Sequence, residues 1–326
     1  MKQSAIVCVI GALTHESITV AIPFHRLDKR LLSAVESVVA DISATDEILL
    51  VDDTREDRDA VNNHFRYLTD SCGVNVRVVQ NTSSGVVGAR NTALSRASNE
   101  VVSFLDSDDL WVSGRRSRHV DILQNFPDVP GVAGQLSYRC PHGVTLGRSF
   151  VPSHLSWISR QWRDSPVSLF FPRVRTSAVT LRRKAAEEAG GFRVDEQDAE
   201  DFGLWLRMQL THGLFFLDSE VSAIYFSHAL QTSKYLAARS SVLVANLISF
   251  NLRQRAISLR NSQDSSRLSN LANSVERRGL LRYAITNELP KLGGALHDLF
   301  SREVLGVFFL LVTNRRFGSG KCEYCI

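Results

Sequence analysis

Acidic residues follow two apolar segments of the chain, in a spacing typical of metal sites. Asp52 and Asp53 end the segment EILLVDD, and Asp106, Asp108 and Asp109 end the segment FLDSDD. Like charges held close together cost free energy unless a cation neutralises them. Carboxylate oxygens are ligands that Mg²⁺ and Mn²⁺ prefer, and these ions commonly bridge to substrate phosphates. The clusters therefore predict a divalent metal and a bound diphosphate, whereas an isolated Asp would only cap a helix or turn the chain.

A parallel sheet would position these acids, because ligands of such sheets bind beyond the carboxyl ends of the strands. Short β-branched runs predict four buried strands, and amphipathic stretches between them predict crossover helices. The predicted strands are residues 18–23, 47–52, 74–80 and 101–105. Beyond them the pattern predicts a helix over 113–125, a loop-rich stretch to about 172, a strand over 176–181, a short helix ending at Gly190 and Gly191, and a helix over 200–211.

The usual phosphate-binding loops are absent from the sequence. It contains neither GxxxxGK[ST] nor GxGxxG, which removes the main support for a P-loop NTPase or a dinucleotide-dependent dehydrogenase. The stretch NTSSGVVGARNTAL instead places Arg90 shortly before the fourth predicted strand. A guanidinium there can face a phosphate, the acid cluster or a surface carboxylate.

Five segments in order resemble family 2 of the nucleotide-sugar glycosyltransferases, an inverting group with the GT-A fold. They are ITVAIPFHR, EILLVDDTRED, GARNTALSRASNEVVSFLDSDDLW with its DxD signature, LRRKAAEEAGGFR and EDFGLWLRM. The resemblance covers roughly residues 18–228. It implies an α/β fold, with a Rossmann-like, mostly parallel sheet flanked by helices.

The resemblance also implies roles for individual residues. Asp53 would bind the nucleotide base, Asp106 the ribose or the metal, and Asp108 the metal, while Asp201 would be the general base. His228, in YFSHALQTS, would approach the diphosphate or the metal. The remaining nucleotide-binding candidates are Pro23, Phe24, His25 and Arg90, although Phe24, His25 and Arg26 depart from the residues common in the family's first turn.

The implied function is metal-dependent transfer of a sugar, with inversion, from a nucleotide sugar, most commonly a UDP-sugar, to a hydroxyl of a glycan, lipid-linked or other acceptor. The cofactor would be Mn²⁺ or Mg²⁺. Residues 135–171 would meet the acceptor, and their aromatic candidates are Tyr138, His154, Trp157 and Trp162. Two alternatives remain: a nucleotidyltransferase, which would need an early glycine-rich and lysine-bearing loop, and a non-catalytic binding protein of the same fold.

Composition and charge predict a globular chain with a distinct basic tail. The 326 residues, 44% hydrophobic, divide into an extension (1–17), a GT-A domain (18–228) and a helical C-terminal region (229–326). A net charge of +4 does not demand a nucleic acid partner. The tail carries 14 basic and 6 acidic residues, so it would either contact an anionic membrane peripherally or pack on the domain or on a homodimer partner.

Cysteine usage predicts a reducing compartment. The five cysteines are few and odd in number, which argues against a disulfide framework and favours the cytoplasm, including the inner face of the membrane. Cys322 and Cys325 form a CxxC, but no second pair or nearby histidine completes a zinc site.

Overall fold

The computed structural model describes residues 16–54, 73–140, 145–148, 175–196, 199–213 and 215–226, together with positions 61, 65, 253, 266, 269, 270 and 273. These residues form a single mixed sheet with helices on its faces. Its first half is parallel, and its strands are β1 (Ile18–Phe24), β2 (Glu47–Asp52), β3 (Asn75–Gln80) and β4 (Val101–Phe104). In space they lie in the order β3, β2, β1, β4.

The second half of the sheet is mixed in direction. Its strands are β5 (Leu110–Trp111), β6 (Gly131–Arg139), β7 (Thr145–Arg148), β8 (Val179–Arg182) and β9 (Phe216–Phe226). From β4 the order continues β8, β6, β9, β5, with β7 paired to β6. Strand β8 is antiparallel to both neighbours, and β6 and β9 are parallel to each other.

Five helices have described bounds: α1 (Lys29–Val39), α2 (Val86–Arg96), α3 (Arg115–Asn125), α4 (Arg183–Glu188) and α5 (Glu200–His212). The Asp28 side chain caps α1 by accepting hydrogen bonds from the N–H groups of Arg30 and Leu31. Side chains alternate along β1, so that Val20 packs on the α1 face of the sheet and Ala21 on the α2 face. The apolar core is therefore divided between the two faces.

Most of the predicted elements are confirmed. The four parallel strands and the helices over 113–125 and 200–211 lie within a residue or two of their predicted ends. Strand β3 is only partly buried because it lies at the edge of the sheet, which corrects the expectation that both of its faces are covered. The predicted strand over 176–181 begins later, because Thr176–Ala178 is a 3₁₀ turn before β8.

The stretch after α3 was wrongly predicted as loop-rich, since it contains β6 and β7. Strand β9 was not predicted at all. The extension to residue 15, the predicted boundary near 229 and, isolated positions aside, the basic region lie outside the described residues. That division of the chain stays a prediction. In the part of the chain that the structure describes, no helix is both long and apolar enough to cross a bilayer.

Candidate active site

The predicted nucleotide-binding residues lie at the carboxyl edge of the parallel strands. Strands β1 and β2 pair in register, with Phe24 opposite Asp52, so His25 and Asp53 emerge side by side. Strand β4 lies on the other side of β1 and delivers the Asp106 segment to the same edge. His25 is exposed, but the Phe24 ring is buried and packs edge to face against Phe65. Phe24 is therefore left with only its backbone for a ligand.

Asp53 organises the loop that precedes α2. One carboxylate oxygen accepts a hydrogen bond from Asn81 Nδ2 at 2.8 Å, and the other accepts one from the Gly85 N–H at 2.9 Å. Gly85 has φ +91°, a conformation that favours glycine. Each carboxylate oxygen has two lone pairs, so Asp53 can accept a further bond from a nucleotide base.

Gly88 allows this loop to pack tightly against α2. A Cβ atom added at Gly88 would lie 1.5 Å from the backbone oxygen of Ser83. A side chain there would have to displace backbone that belongs to the loop held by Asp53. The glycine is therefore required by close approach of two backbone segments.

The acids after β4 form a turn whose members differ in exposure. The Asp109 N–H donates to the Asp106 backbone oxygen at 3.1 Å. The Asp106 side chain is 36% exposed, whereas Asp109 is 1% exposed. Asp108 is partly buried, and its charge adds to that of Asp28 in raising the pKa of Arg30 in the first turn of α1. Asp106 and Asp108 are thus the more exposed acids of the turn.

Asp109 is a buried structural acid. Ser177 Oγ donates to its Oδ2 at 2.5 Å. Burial raises the pKa of Asp109 well above its ordinary value, and the charge of Asp106 adds to the effect. The expectation that Asp109 belongs to the metal-binding cluster is therefore wrong, because its carboxyl group is buried and bonded to Ser177.

Arg90 joins the acid turn to the start of α5. Its guanidinium donates to Asp106 Oδ1 at 3.0 Å and to Glu200 Oε1 at 2.8 Å, and it lies 5.6 Å from the centre of the Phe192 ring. Only 7% of its side chain is exposed. Burial lowers the pKa of Arg90, but Asp106, Glu200 and Asp201 raise it by more, so the group is a permanent cation. Of the three partners left open by the sequence, the structure selects the acid cluster.

Glu200 and Asp201 differ in their surroundings although they are neighbours. Burial raises the pKa of Glu200 in spite of the opposing charge of Arg90. Asp201 lies partly exposed, accepting from the Phe202 N–H at 2.7 Å and from Thr176 Oγ1 at 3.2 Å. Glu200 is therefore held in an ion pair with Arg90, while each carboxylate oxygen of Asp201 can accept a further hydrogen bond.

The donor set fits a hard cation only in part. Asp106 and Asp108 supply carboxylate oxygens, which suits Mg²⁺ or Mn²⁺ when a diphosphate and water complete the coordination. Within the described ranges, no group of three or more acidic, histidine or cysteine side chains is arranged to hold a metal. His228, the third predicted ligand, lies outside those ranges, as do Cys322, Cys325, His154, Trp157 and Trp162. Tyr138, on β6, packs edge to face against Tyr225.

Three residues at this site were missed by the sequence reasoning. Thr176 and Ser177 bond to Asp201 and Asp109, and Arg115 reaches the Ser177 backbone oxygen from α3. Thr176 and Ser177 were placed inside a predicted strand, which gave no reason to treat them as polar partners of the acids. The burial of Arg115 could not be predicted either, because SGRRSRHV is typical of an exposed, basic helix start.

Comparison with known proteins agrees with this geometry. Residues 19–165 match the sequence profile of glycosyl transferase family 2. This segment therefore belongs to glycosyl transferase family 2. The profile includes Asp53, Arg90 and the DxD turn, and it ends before Asp201.

A curated relative in Escherichia coli, the UDP-Glc:α-D-GlcNAc-diphosphoundecaprenol β-1,3-glucosyltransferase WfgD, is 28% identical over 106 residues. These make up 32% of this chain and 40% of the relative. The chain thus matches about two fifths of that protein.

Solved structures show the fold over a longer stretch. Residues 1–349 of TarS from S. aureus, in complex with UDP-GlcNAc, match with a TM-score of 0.58 and 15% identity, over 86% of this chain and 76% of that one. The mannosyltransferase PcManGT from Pyrobaculum calidifontis, in complex with GDP-Man and Mn²⁺, matches with a TM-score of 0.55 and 17% identity, over 93% of this chain and 83% of that one. The predicted GT-A fold is confirmed.

Proposed function

We propose that the protein is an inverting glycosyltransferase that moves a sugar from a UDP-sugar to a hydroxyl group of a lipid-linked or other glycan acceptor. The observation that carries the proposal is the bridge made by Arg90. It brings the DxD turn and the start of α5 to one cation, at the edge of the sheet where Asp53 and His25 also lie. The edge proposed to bind the donor and the proposed base would then face the same site.

The donor would lie along the carboxyl edge of the parallel strands. Asp53 would accept a bond from the base, and the backbone of Pro23 and Phe24, with His25, would line the nucleoside. Asp106 would contact the ribose. These assignments follow the family resemblance and fit the exposure of His25 and Asp106.

Asp106 and Asp108 would hold a divalent ion, with His228 as a further ligand. When bound, such an ion supplies neutralisation of the negative charge on the departing diphosphate. Arg90 would keep Asp106 oriented, because its guanidinium already binds one carboxylate oxygen of Asp106. The other oxygen remains for a ligand.

Asp201 would remove the proton from the acceptor hydroxyl. Direct displacement at the anomeric carbon needs a base on the side opposite the leaving group, as in inverting glycosidases. The bonds from Thr176 and from the Phe202 N–H hold the carboxylate in one orientation. Arg90 leaves Asp201 available, because Glu200 accepts its hydrogen bond instead.

UDP-sugars and lipid-linked acceptors are favoured by the relatives. The name of the WfgD relative includes UDP-glucose as donor and a diphosphoundecaprenol acceptor, and the TarS structure contains UDP-GlcNAc. An acceptor of that kind would bring the enzyme to the cytoplasmic face of a membrane. The 14 basic residues of 229–326 would then bind anionic headgroups, each contributing about 1 kcal/mol near the surface.

A transfer assay with a donor panel tests the proposal. The full chain is incubated with Mn²⁺, a GlcNAc-diphospho-lipid and, in turn, UDP-glucose, UDP-GlcNAc, UDP-galactose and GDP-mannose. The expected result is a lipid-extractable product from one UDP-sugar, with the new linkage inverted relative to the donor. Absence of product from every UDP-sugar, or a product that retains the donor configuration, contradicts the proposal.

Vesicle flotation tests the membrane part separately. The full chain should float with anionic vesicles at low salt, but neither with neutral vesicles nor at high salt. A chain that stays at the bottom with anionic vesicles at low salt, or that elutes as a homodimer without floating, favours the alternative of a packed tail.

A further inference from the structure

We propose that the 3₁₀ turn at Thr176–Ala178 is the element that fixes the general base relative to the acid turn, with Thr176 and Ser177 as positioning residues. The inference rests on the proposed function, because it treats Asp201 and the DxD turn as parts of one reaction site. It assigns roles to two buried hydroxyl groups that bond to acids of that site.

Thr176 holds the base. Its hydroxyl donates to Asp201 Oδ2 at 3.2 Å, while the Phe202 N–H donates to Oδ1 at 2.7 Å. One bond to each oxygen fixes both the position and the plane of the carboxylate. Thr176 is 3% exposed, so water does not readily replace its hydroxyl.

Ser177 holds the acid turn. Its Oγ donates to Asp109 Oδ2 at 2.5 Å and accepts from the Asp106 N–H at 3.1 Å. Through these two bonds it contacts both ends of the Asp106–Asp109 turn. Ser177 is 2% exposed. Adjacent residues of one short turn thus carry the base on one side and the DxD acids on the other.

Arg115 fixes the turn to the sheet. Its guanidinium donates to the Ser177 backbone oxygen at 2.5 Å and to the Val179 backbone oxygen at 2.9 Å, and it lies 3.9 Å from the centre of the Trp111 ring. Arg115 is fully buried, and burial lowers its pKa to about 9. Among the described residues its hydrogen-bond partners are backbone and hydroxyl oxygens. The turn therefore moves only if the sheet beneath it moves.

A fixed distance between base and acids matters because displacement requires the acceptor oxygen, the anomeric carbon and the leaving oxygen to lie in line. Without the Thr176 hydroxyl, Asp201 keeps its helix bond but can rotate about it. Donor binding does not depend on that orientation, so the loss should fall on kcat rather than on UDP affinity.

The test compares Thr176→Val with Thr176→Ser and with a matched control, Thr19→Val. Thr19 is also buried and donates its hydroxyl to a carboxylate, Glu47 Oε2 at 2.7 Å, at the opposite edge of the sheet. Each variant is assayed for UDP-glucose transfer to the GlcNAc-diphospho-lipid, for UDP binding with Mn²⁺ and for thermal unfolding. We expect Thr176→Val to lose about 10-fold in kcat with UDP affinity unchanged, and Thr176→Ser to restore most of the rate.

Ser177→Ala should give the complementary result, a weaker affinity for UDP in the presence of Mn²⁺, because it frees the acid turn. Thr19→Val should lower the unfolding temperature without changing kcat. Suppose that the wild type transfers sugar. If Thr176→Val then has the wild-type kcat, or loses stability alone as Thr19→Val does, the inference is wrong while the proposed function stands. If the wild type transfers no sugar from any donor of the panel, both are wrong.

Discussion

Replacing Arg90 by methionine removes the only charge in the described site that compensates both Glu200 and Asp106. Methionine keeps much of the apolar volume next to Phe192 but leaves the Glu200 carboxylate buried without its ion pair. Breaking a buried pair by removing one partner costs about 3 to 5 kcal/mol. Asp106 is 36% exposed and solvent screens it, so we expect the lower end, about 3 kcal/mol.

The pH dependence of this loss identifies its cause. Burial raises the pKa of Glu200, and Asp201 and Asp106 raise it further, while Arg90 lowers it. Without Arg90 the pKa of Glu200 in the folded state rises more. An acid whose pKa is higher in the folded than in the unfolded state stabilises the fold less as pH rises between the two values. The free energy of unfolding of the variant should therefore be closest to that of the wild type near about pH 5 and should fall below it toward about pH 8.

Chemical denaturation at both pH values measures the effect, with Arg116→Met as the matched control. Arg116 is similarly buried and bonds to both Asp46 carboxylate oxygens, at 2.9 and 3.1 Å, on the far side of the sheet. Both variants should lose stability near neutral pH, but only Arg90→Met should also lose UDP binding. A loss below about 1 kcal/mol at about pH 8, or one that is equal at both pH values, refutes the reasoning.

Two further predictions concern the donor side. UDP binding measured by calorimetry should weaken at least about 10-fold when EDTA removes the metal, because Asp106 and Asp108 repel a diphosphate without a cation; equal affinity in both conditions would exclude the metal role. Gly88→Ala should unfold at a lower temperature and bind UDP more weakly, because its Cβ would lie 1.5 Å from the Ser83 oxygen in the loop held by Asp53. The control is Gly73→Ala, whose Cβ would meet nothing within 4 Å. Gly73 has φ +63°, so this variant should lose stability but keep its affinity for UDP. A Gly88→Ala variant with wild-type affinity would show that the loop does not bind the nucleotide.

The parallel half of the sheet was predictable because its strands are nearly continuous apolar runs, each ending where the chain becomes acidic or polar. The composition of β2, EILLVD, predicts a strand that is buried on both faces, and every position of β2 is buried. The helix that begins at Glu200 was predictable because Phe202, Leu204, Trp205 and Met208 recur at helical spacing.

Strand β6 was not predictable because contacts across the sheet override its local composition. Gly131 and Gly134 weaken the strand pattern of β6. Both are needed, since an added Cβ would lie 2.6 Å from the Phe215 ring at Gly131 and 1.9 Å from Ser222 Oγ at Gly134. Only the folded sheet shows this requirement.

The polar contacts beneath the site were hidden for a related reason. Arg115 lies at the start of a helix whose sequence, RRSRHVDILQN, has the charge of a surface helix. Its two terminal guanidinium nitrogens donate to backbone oxygens of the 3₁₀ turn and of β8, and those acceptors do not depend on side-chain identity. A sequence pattern shows only which side chains are present, so hydrogen-bond acceptors of the backbone cannot be recognised from it.

The most direct test of the account is the rate of sugar transfer by Asp201→Asn. This substitution keeps the size of the side chain and an acceptor oxygen but removes its basicity, so folding and UDP affinity should be unchanged. Loss of a general base lowers rates by about 10² to 10⁴, and the transfer rate should fall by that factor relative to the wild type. Asp121→Asn, at an exposed acid of α3, should transfer at the wild-type rate. Near-normal transfer by Asp201→Asn would contradict the assignment of the base and would make Glu200 the next residue to test.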